Sequence, residues 1–497
     1  MTSCCAKTSS DPDAPSPATA IDTARTLLIN GQWQGAQSAM PVTCPYHGGL
    51  IRFVACAQPH HVQAALDGAR QGLALSRRMS TGQRAGLLHD VAALVARRRA
   101  DFALCITRES GKPVAAARKE VERCVNTLRL AAEEATRIVG ETINFDSFPG
   151  GEGRSGYYFY EPIGIVVAIT PFNDPLNLVA HKLGPALAGG NAVILKPAEQ
   201  APLSALLLVE AFIECGLPPG VISVLTGRGR DFGAALVGST EVAMVSFTGG
   251  ETTGAIIAGD AGIKRLAMEL GANSPVIVSH QCRLALAVES CVSGAFWASG
   301  QNCIGVQRIY IQQSRYHEFV AAFVARVGQL ATGDPLLETT DVGPLISPGD
   351  AARVDAWVAR AVEQGAEILC GGHRVGYACY APTVLDVAAR EVAVCCEEVF
   401  GPVVSLHSYT ALDEAIAMAN RPDYMIHAAI FTDNLQEAMY ATRALECAGV
   451  LVNDSTDYRL DAMPFGGAKR GALGREGVKF AIREMVQTRM VCMNFAH

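Results

Sequence analysis

Short runs of β-branched and aliphatic residues alternate with longer segments of helical spacing through most of the chain, and this alternation limits the fold more than any other feature. EPIGIVVAITPF, HKLGPALAGG, NAVILKPAE, PLSALLLVEAFIECG and VISVLTG succeed one another as strand, helix, strand, helix, strand. A strand covered on both faces reads as a continuous apolar run, whereas a covering helix repeats its apolar positions at i+3 and i+4. The succession therefore predicts an α/β unit with helices on both sides of a mainly parallel sheet. A second series starts near residue 275: SPVIVS, a helix through ALAVESCVSGAFWASG, RIYIQ, the helix YHEFVAAFVARVGQL, and ACYAPTVLDV. The segment 24–140, with RAGLLHDVAALVARRRADFALCITRES within it, has helical spacing and is expected to form a helical layer on the first unit.

A chain of 497 residues exceeds one typical core, so two or three domains are expected. A net charge of -7 with 49% hydrophobic and 18% charged residues describes a folded, mildly acidic protein and excludes a basic footprint for nucleic acid. The opening MTSCCAKTSSDPDAPSPATA lacks the charged start and apolar core of a secretory signal, and residues 1–23 read as a mobile tail. No apolar run approaches the ~18 residues of a membrane span, so a cytoplasmic location is expected. The sixteen cysteines are scattered without C-x-x-C, and the pairs Cys4/Cys5 and Cys395/Cys396 lack metal-ligand spacing. Reduced core thiols, and no metal, are expected.

One cysteine stands apart. In SGQNCIG, Gly300 and Gly305 flank Cys303 closely enough to leave its thiol and backbone N–H open to a ligand. A cysteine between glycines also suits a purely structural role, so its company decides. That company, in chain order, is ITPFNDP, VILKPAEQ, SFTGG, MELGANSP, then, beyond Cys303, EEVFGPV and MPFGG. Together these segments resemble the aldehyde dehydrogenase superfamily, from about residue 25 to the C-terminus.

The resemblance implies that Cys303 is a nucleophile that forms a thiohemiacetal and then a thioester. Asn173 and the Cys303 backbone N–H would form the oxyanion hole, and Glu269 would be the general base that brings in water. Glu269 favours release of a carboxylic acid over transfer to coenzyme A. The G-x-G-x-x-G fingerprint is missing, and GRGRDFG at 227–233 has one residue too many. The resemblance instead implies dinucleotide contacts from Thr170, Pro171, Phe172, Lys196, Glu199, Gly227, Phe247, Thr248, Gly249, Gly250, Leu270, Glu398 and Phe400. The pyrophosphate would lie on the helix after SFTGG. Glu199 would accept from the adenosine ribose hydroxyls and repel a 2′-phosphate, which favours NAD over NADP. Gly250 stands where many relatives carry a serine, and PFGGAKRGALGREG departs from the usual pattern at Gly471-Ala472.

Matching to the family pattern places Arg123, Asp174, Asn177, His181, Trp297, Asn302, Ile304, Arg459 and Phe465 at substrate-tunnel positions. Two arginines, a histidine and an asparagine are costly to desolvate without an anion. A small phosphonate-bearing aldehyde is therefore expected, with phosphate, sulfonate or carboxylate in the same class. Lactaldehyde, non-phosphorylating glyceraldehyde-3-phosphate, coenzyme A-acylating and inactive binding variants are the alternatives. The competing reading is that Arg123 pairs with Glu120, and Arg459 with Asp457 or Asp461, at the surface instead of lining a tunnel. The expected organisation is a NAD-binding domain (24–144 and 163–272), a catalytic domain (273–465) and a bridging arm (145–162 and 466–497), assembled as a homodimer or homotetramer.

Overall fold

The computed structural model describes residues 26–387 and 393–495, so the expected N-terminal tail lies outside the described residues. The βαβαβ succession forms one sheet of eight strands. In spatial order these are Gln32–Gln34, Leu27–Ile29, Ile222–Val224, Ala192–Lys196, Ile165–Ile169, Val242–Thr248, Arg265–Glu269 and Ala472–Leu473. Ile165–Ile169 shows why its sequence is apolar throughout. Val166 and Ala168 enter the core with the helical layer, while Ile165 and Val167 enter the core on the other face. All four are nearly fully buried, as a strand with both faces covered requires.

The second series builds a sheet of seven strands: Glu367–Cys370, Thr383–Asp386, Val403–Tyr409, Val306–Gln312, Ser274–Val278, His427–Phe431 and Gly449–Val452. A third, three-stranded sheet pairs Val486–Asn494 with Arg154–Pro162 and the latter with Glu141–Ile143. Much of it is exposed, including Tyr157, Tyr160, Met490 and Met493. Among the described residues no helix is long and apolar enough to cross a membrane.

The segment 24–140 corrects the expectation of a purely helical layer. Helices Pro59–Arg78, Thr81–Arg97, Arg99–Ser110 and Val114–Ala135 are present, but residues 27–55 form four strands. The cause is local. Asn30 (φ 51°) and Gly31 (φ 76°) make the tight turn that joins Leu27–Ile29 to Gln32–Gln34, and an Asn-Gly pair favours such a hairpin. The helix expected to run through Gly300 instead ends at Phe296.

Candidate active site

The helix Leu284–Phe296 stops because Ala298 (φ 50°), Ser299 (φ 60°) and Gly300 (φ 69°) all turn left-handed. At Gly300 only glycine fits, since a Cβ there would stand 2.1 Å from the Gly401 carbonyl oxygen. The strained turn is held by Ser299 Oγ donating to the Gly343 carbonyl (2.9 Å) and by Ile346 N–H donating to Gln301 Oε1 (2.9 Å). It presents Cys303, half-buried, against Ala272, Ile304, Ile426 and Phe465. Burial, and then the Glu398 carboxylate, push the thiol far above its usual range, while Arg459 pulls it down.

Asn173 Nδ2 donates to the Gln301 carbonyl at 3.1 Å, which sets its amide beside the Cys303 loop. Its own loop is pinned from below. Glu120 Oε1 accepts the N–H groups of Leu176 (2.8 Å) and Asn177 (3.1 Å), the start of the helix Asn177–Ala188. Lys112 Nζ bonds both Glu120 and Asp174, and stands 5.1 Å from the centre of the Trp297 ring.

Glu269 ends the strand Arg265–Glu269 and is 4% exposed, and its Oε2 has no hydrogen-bond partner among the described residues. Burial and the nearby Glu476 carboxylate push its carboxyl well above the usual range. Glu476 behaves in the opposite way. It accepts from Lys182 Nζ (3.2 Å), Thr248 Oγ1 (3.1 Å) and Arg459 (3.1 Å). Burial would raise it, but Lys182 and Arg459 prevail and hold it at about 2. Two buried carboxyls are driven apart in this way, one toward its neutral form and the other fixed as an anion.

A cavity of about 760 Å³ is lined by Cys303, Asn173, Arg123, Asp174, Trp297, Asn302, Ile304 and Arg459. The sequence-predicted Asn177 and His181 do not line it. They are 0% and 1% exposed, Asn177 Nδ2 lies 3.3 Å and His181 Nε2 3.0 Å from Asp461 Oδ1, and Thr127 bonds Asn177. Burial, and then Arg459, lower the imidazole's pKa, which favours its neutral form. Phe465 is buried beneath Arg459, whose guanidinium carbon stands 3.6 Å from the ring centre.

The ion pairs depart from the competing surface reading. Arg123 pairs with Asp174 (3.1 Å) and Asp461 (3.0 Å), and Arg459 with Glu476 (3.1 Å), so neither takes the chain neighbour expected for it. The protein itself therefore supplies most of the counter-charge that the sequence had left to a substrate. What remains is smaller: the Nε of each arginine is buried and has no partner among the described residues.

The first sheet has its switch point where the chain leaves Ile165–Ile169 toward Ala192–Lys196 on one side and later returns along Val242–Thr248 on the other, the place where a crevice is expected. At these carboxyl ends stand Thr170, Pro171, Phe172, Lys196, Thr248, Gly249 and Gly250. The Thr170 hydroxyl is buried without a partner, and Gly250 caps the helix Glu251–Ala261 with no side chain in the way. Lys196 is buried, 4.0 Å from Glu199, whose Oε1 accepts the Gly229 N–H (2.9 Å). Gly227 (φ 116°) lets the chain pass against Cys56. Phe247 is 3% exposed and belongs to the core, while Leu270 packs on Gly254. Glu398 Oε1 accepts the Ala272 N–H (3.2 Å), and burial pushes its carboxyl to about 8. Phe400 (φ 46°) meets Phe172 edge-on at 5.8 Å. An unpartnered hydroxyl and an open helix N-terminus suit an anionic dinucleotide.

Sequence reasoning missed Lys112, Glu120, Lys182, Asp461 and Glu476 as parts of this site. Lys182 had a signal, as a lone charge in the otherwise apolar helix around HKLGPALAGG.

Comparison with known proteins agrees with this geometry. The model of the aldehyde dehydrogenase family matches residues 33–491. The chain is 52% identical to aspartate-semialdehyde dehydrogenase 1 of Pseudomonas canavaninivorans, over 90% of this chain and 95% of that one. It is 42% identical to 3-sulfolactaldehyde dehydrogenase of Priestia aryabhattai, over 94% and 98%. The solved NADP-dependent glyceraldehyde-3-phosphate dehydrogenase of Bacillus halodurans, complexed with NADP, superposes with a TM-score of 0.92 at 35% identity, covering 95% of this chain and 99% of that one. The mixed α/β fold, the site and these similarities together place the chain in the aldehyde dehydrogenase family, as an oxidoreductase that uses NAD(P) to oxidise an aldehyde.

Proposed function

We propose that the chain oxidises a small aldehyde with an anionic far end to its carboxylic acid, through a thioester on Cys303, with NAD preferred. The observation that carries this reading is a single cavity lined by the Cys303 thiol and by Arg123 and Arg459, each with a buried Nε that has no hydrogen-bond partner among the described residues. The sulfur of Cys303, having lost its proton, adds to the aldehyde carbon. The carbonyl oxygen takes up the negative charge beside the Asn173 amide, which turns from the Gln301 carbonyl to donate to it. When bound in the crevice, NAD(P) supplies the electron acceptor. Glu269 then removes a proton from water as the water oxygen attacks the thioester carbon, and the Cys303 sulfur leaves. A carboxylate in that place supports hydrolysis over acyl transfer to coenzyme A.

Glu199 beside Lys196 supports NAD, because a 2′-phosphate would meet its carboxylate. The named aldehydes of both close relatives carry an acidic group. A singly charged carboxylate or sulfonate suits two free guanidinium edges better than the phosphonate favoured by sequence, since Asp174, Asp461 and Glu476 already neutralise most of the cationic charge. In this reading the eight-stranded unit holds the cofactor and the seven-stranded unit carries Cys303. The exposed three-stranded sheet joins subunits into a dimer or tetramer.

The test is kcat/KM for succinate semialdehyde and for propanal in wild type, Arg123→Leu and Arg459→Leu. Loss of the anion's partner should cost about 2–5 kcal/mol, roughly 30-fold or more, on the anionic substrate beyond any loss on propanal. Equal losses on both substrates would refute the anion site.

A further inference from the structure

The cavity also contains a carboxylate that the charge pairing leaves unmatched. Of its acidic lining residues, Asp174 is bound by Lys112 and Arg123, and Glu289 by Arg326 at 3.1 Å. Asp454 is exposed and accepts the Ser455 N–H. Asp457 is half-buried, lines the cavity and takes part in no ion pair among the described residues. Burial raises its carboxyl above the usual range, against the pull of the Ser455 hydroxyl beside it, and Asp454 adds to the rise.

A second, independent feature lies beside it. Ser455 is 4% exposed, lines the same cavity, and its hydroxyl has no partner among the described residues other than the Asp457 carboxylate. Both side chains fill a gap left by a glycine: a Cβ on Gly294 would stand 2.1 Å from Ser455 Oγ and 3.1 Å from Asp457 Oδ1. Two residues along the same loop, Arg459 offers its free Nε. One loop therefore carries a carboxylate that lacks a cation, a hydroxyl beside it whose oxygen can still accept, and then a guanidinium whose Nε has no hydrogen-bond partner among the described residues. A carboxylate that lines a cavity without a cation is costly unless a ligand completes it.

We propose that Asp457 and Ser455 form an ammonium subsite, so that the aldehyde taken by this cavity is zwitterionic, with its carboxylate at Arg459 and Arg123 and a protonated amine at Asp457. An ammonium group brings three donors and no acceptor, which suits a carboxylate plus a hydroxyl oxygen. The carboxylate half of this proposal rests on the anion site argued above; the ammonium half rests on Asp457 and Ser455 alone.

The experiment compares aspartate 4-semialdehyde with succinate semialdehyde, which has the same carbon chain and carboxylate but no amine. In the wild type the aminated substrate should be favoured by about 10-fold or more in kcat/KM, as expected for a hydrogen-bonded charge. In Asp457→Asn that ratio should fall by about 10-fold or more, mainly through KM, and Ser455→Ala should lower it by a smaller factor. A ratio that stays at the wild-type value in Asp457→Asn overturns the ammonium subsite. If Asp457→Asn does not fold, inhibition of the wild type decides: L-aspartate must bind more tightly than succinate, and equal or weaker binding overturns the proposal. The two readings fail separately. Arginine variants that lose succinate semialdehyde and propanal equally remove the anion site, whereas a fixed aminated-to-deaminated ratio removes only the ammonium subsite.

Discussion

Replacing Lys112 by Met should destabilise the protein in a pH-dependent way. Lys112, Glu120 and Asp174 are 4%, 1% and 8% exposed, and the ammonium is bonded to both carboxylates. Met keeps the unbranched stem beneath Trp297 but leaves two buried carboxyls facing each other. Breaking a buried pair in this way costs about 3–5 kcal/mol, because the partners stay desolvated and uncompensated. The sign with pH follows from linkage. Glu120 is already raised by burial despite Lys112, and removing the cation raises it further and lifts Asp174 from its present depressed position. A carboxyl raised in the folded state adds stability below its unfolded pKa and loses it as pH rises through the folded value. The deficit of Lys112→Met should therefore be largest near pH 8 and shrink toward pH 5. Urea unfolding followed by tryptophan fluorescence at both pH values, against wild type, measures it. Adding Asp174→Asn to Lys112→Met should recover part of the loss at pH 8, because one of the two facing charges is gone. A deficit under about 1 kcal/mol, or one independent of pH, would refute the reasoning, since that is how an exposed pair behaves.

Two further outcomes are expected. Cys303 and Glu269 are both raised by burial, and in the proposed reaction both must lose a proton to act, so kcat/KM should climb as pH rises from 6 to 9 and be suppressed on the acid side; stopped-flow and steady-state pH profiles that fall over this range contradict it. Gly300→Ala meets a positive φ and a carbonyl oxygen 2.1 Å from the new Cβ. It should cost at least ~2 kcal/mol of stability and most of the activity, whereas Gly250→Ser, with open space at its Cβ, should leave unfolding midpoints within about 0.5 kcal/mol of wild type.

The parts of this fold legible in the sequence are those whose cause is local. Apolar runs such as GIVVAI become strands because both faces are covered, and HKLGPALA becomes a helix where it covers one of them. The Asn30-Gly31 hairpin was equally local, yet the surrounding helical spacing hid it. The end of the helix at Phe296 was not legible, since Ala298 and Ser299 have no preference for positive φ. Contacts across the fold hold them there, including the Ser299 bond to Gly343, far along the chain.

The same division governs the site. Cys303, Asn173 and Glu269 could be named because each sits in a short motif. What the cavity accepts depends on charge left over after internal pairing, and the pairs join residues far apart: Arg123 to Asp461, Lys182 to Glu476, Lys112 to Asp174. Counting arginines along the chain suggested a strongly cationic pocket and hence a phosphonate. Pairing them in space removes most of the arginine charge, and among the described residues leaves Lys119, Asp454 and Asp457 as the cavity's charged groups without an ion pair, with each arginine Nε unpartnered. In the proposed reading a ligand of two full negative charges would meet the Asp457 carboxylate, whereas one that carries both signs finds a partner for each. Charge in a cavity specifies a ligand only through this remainder.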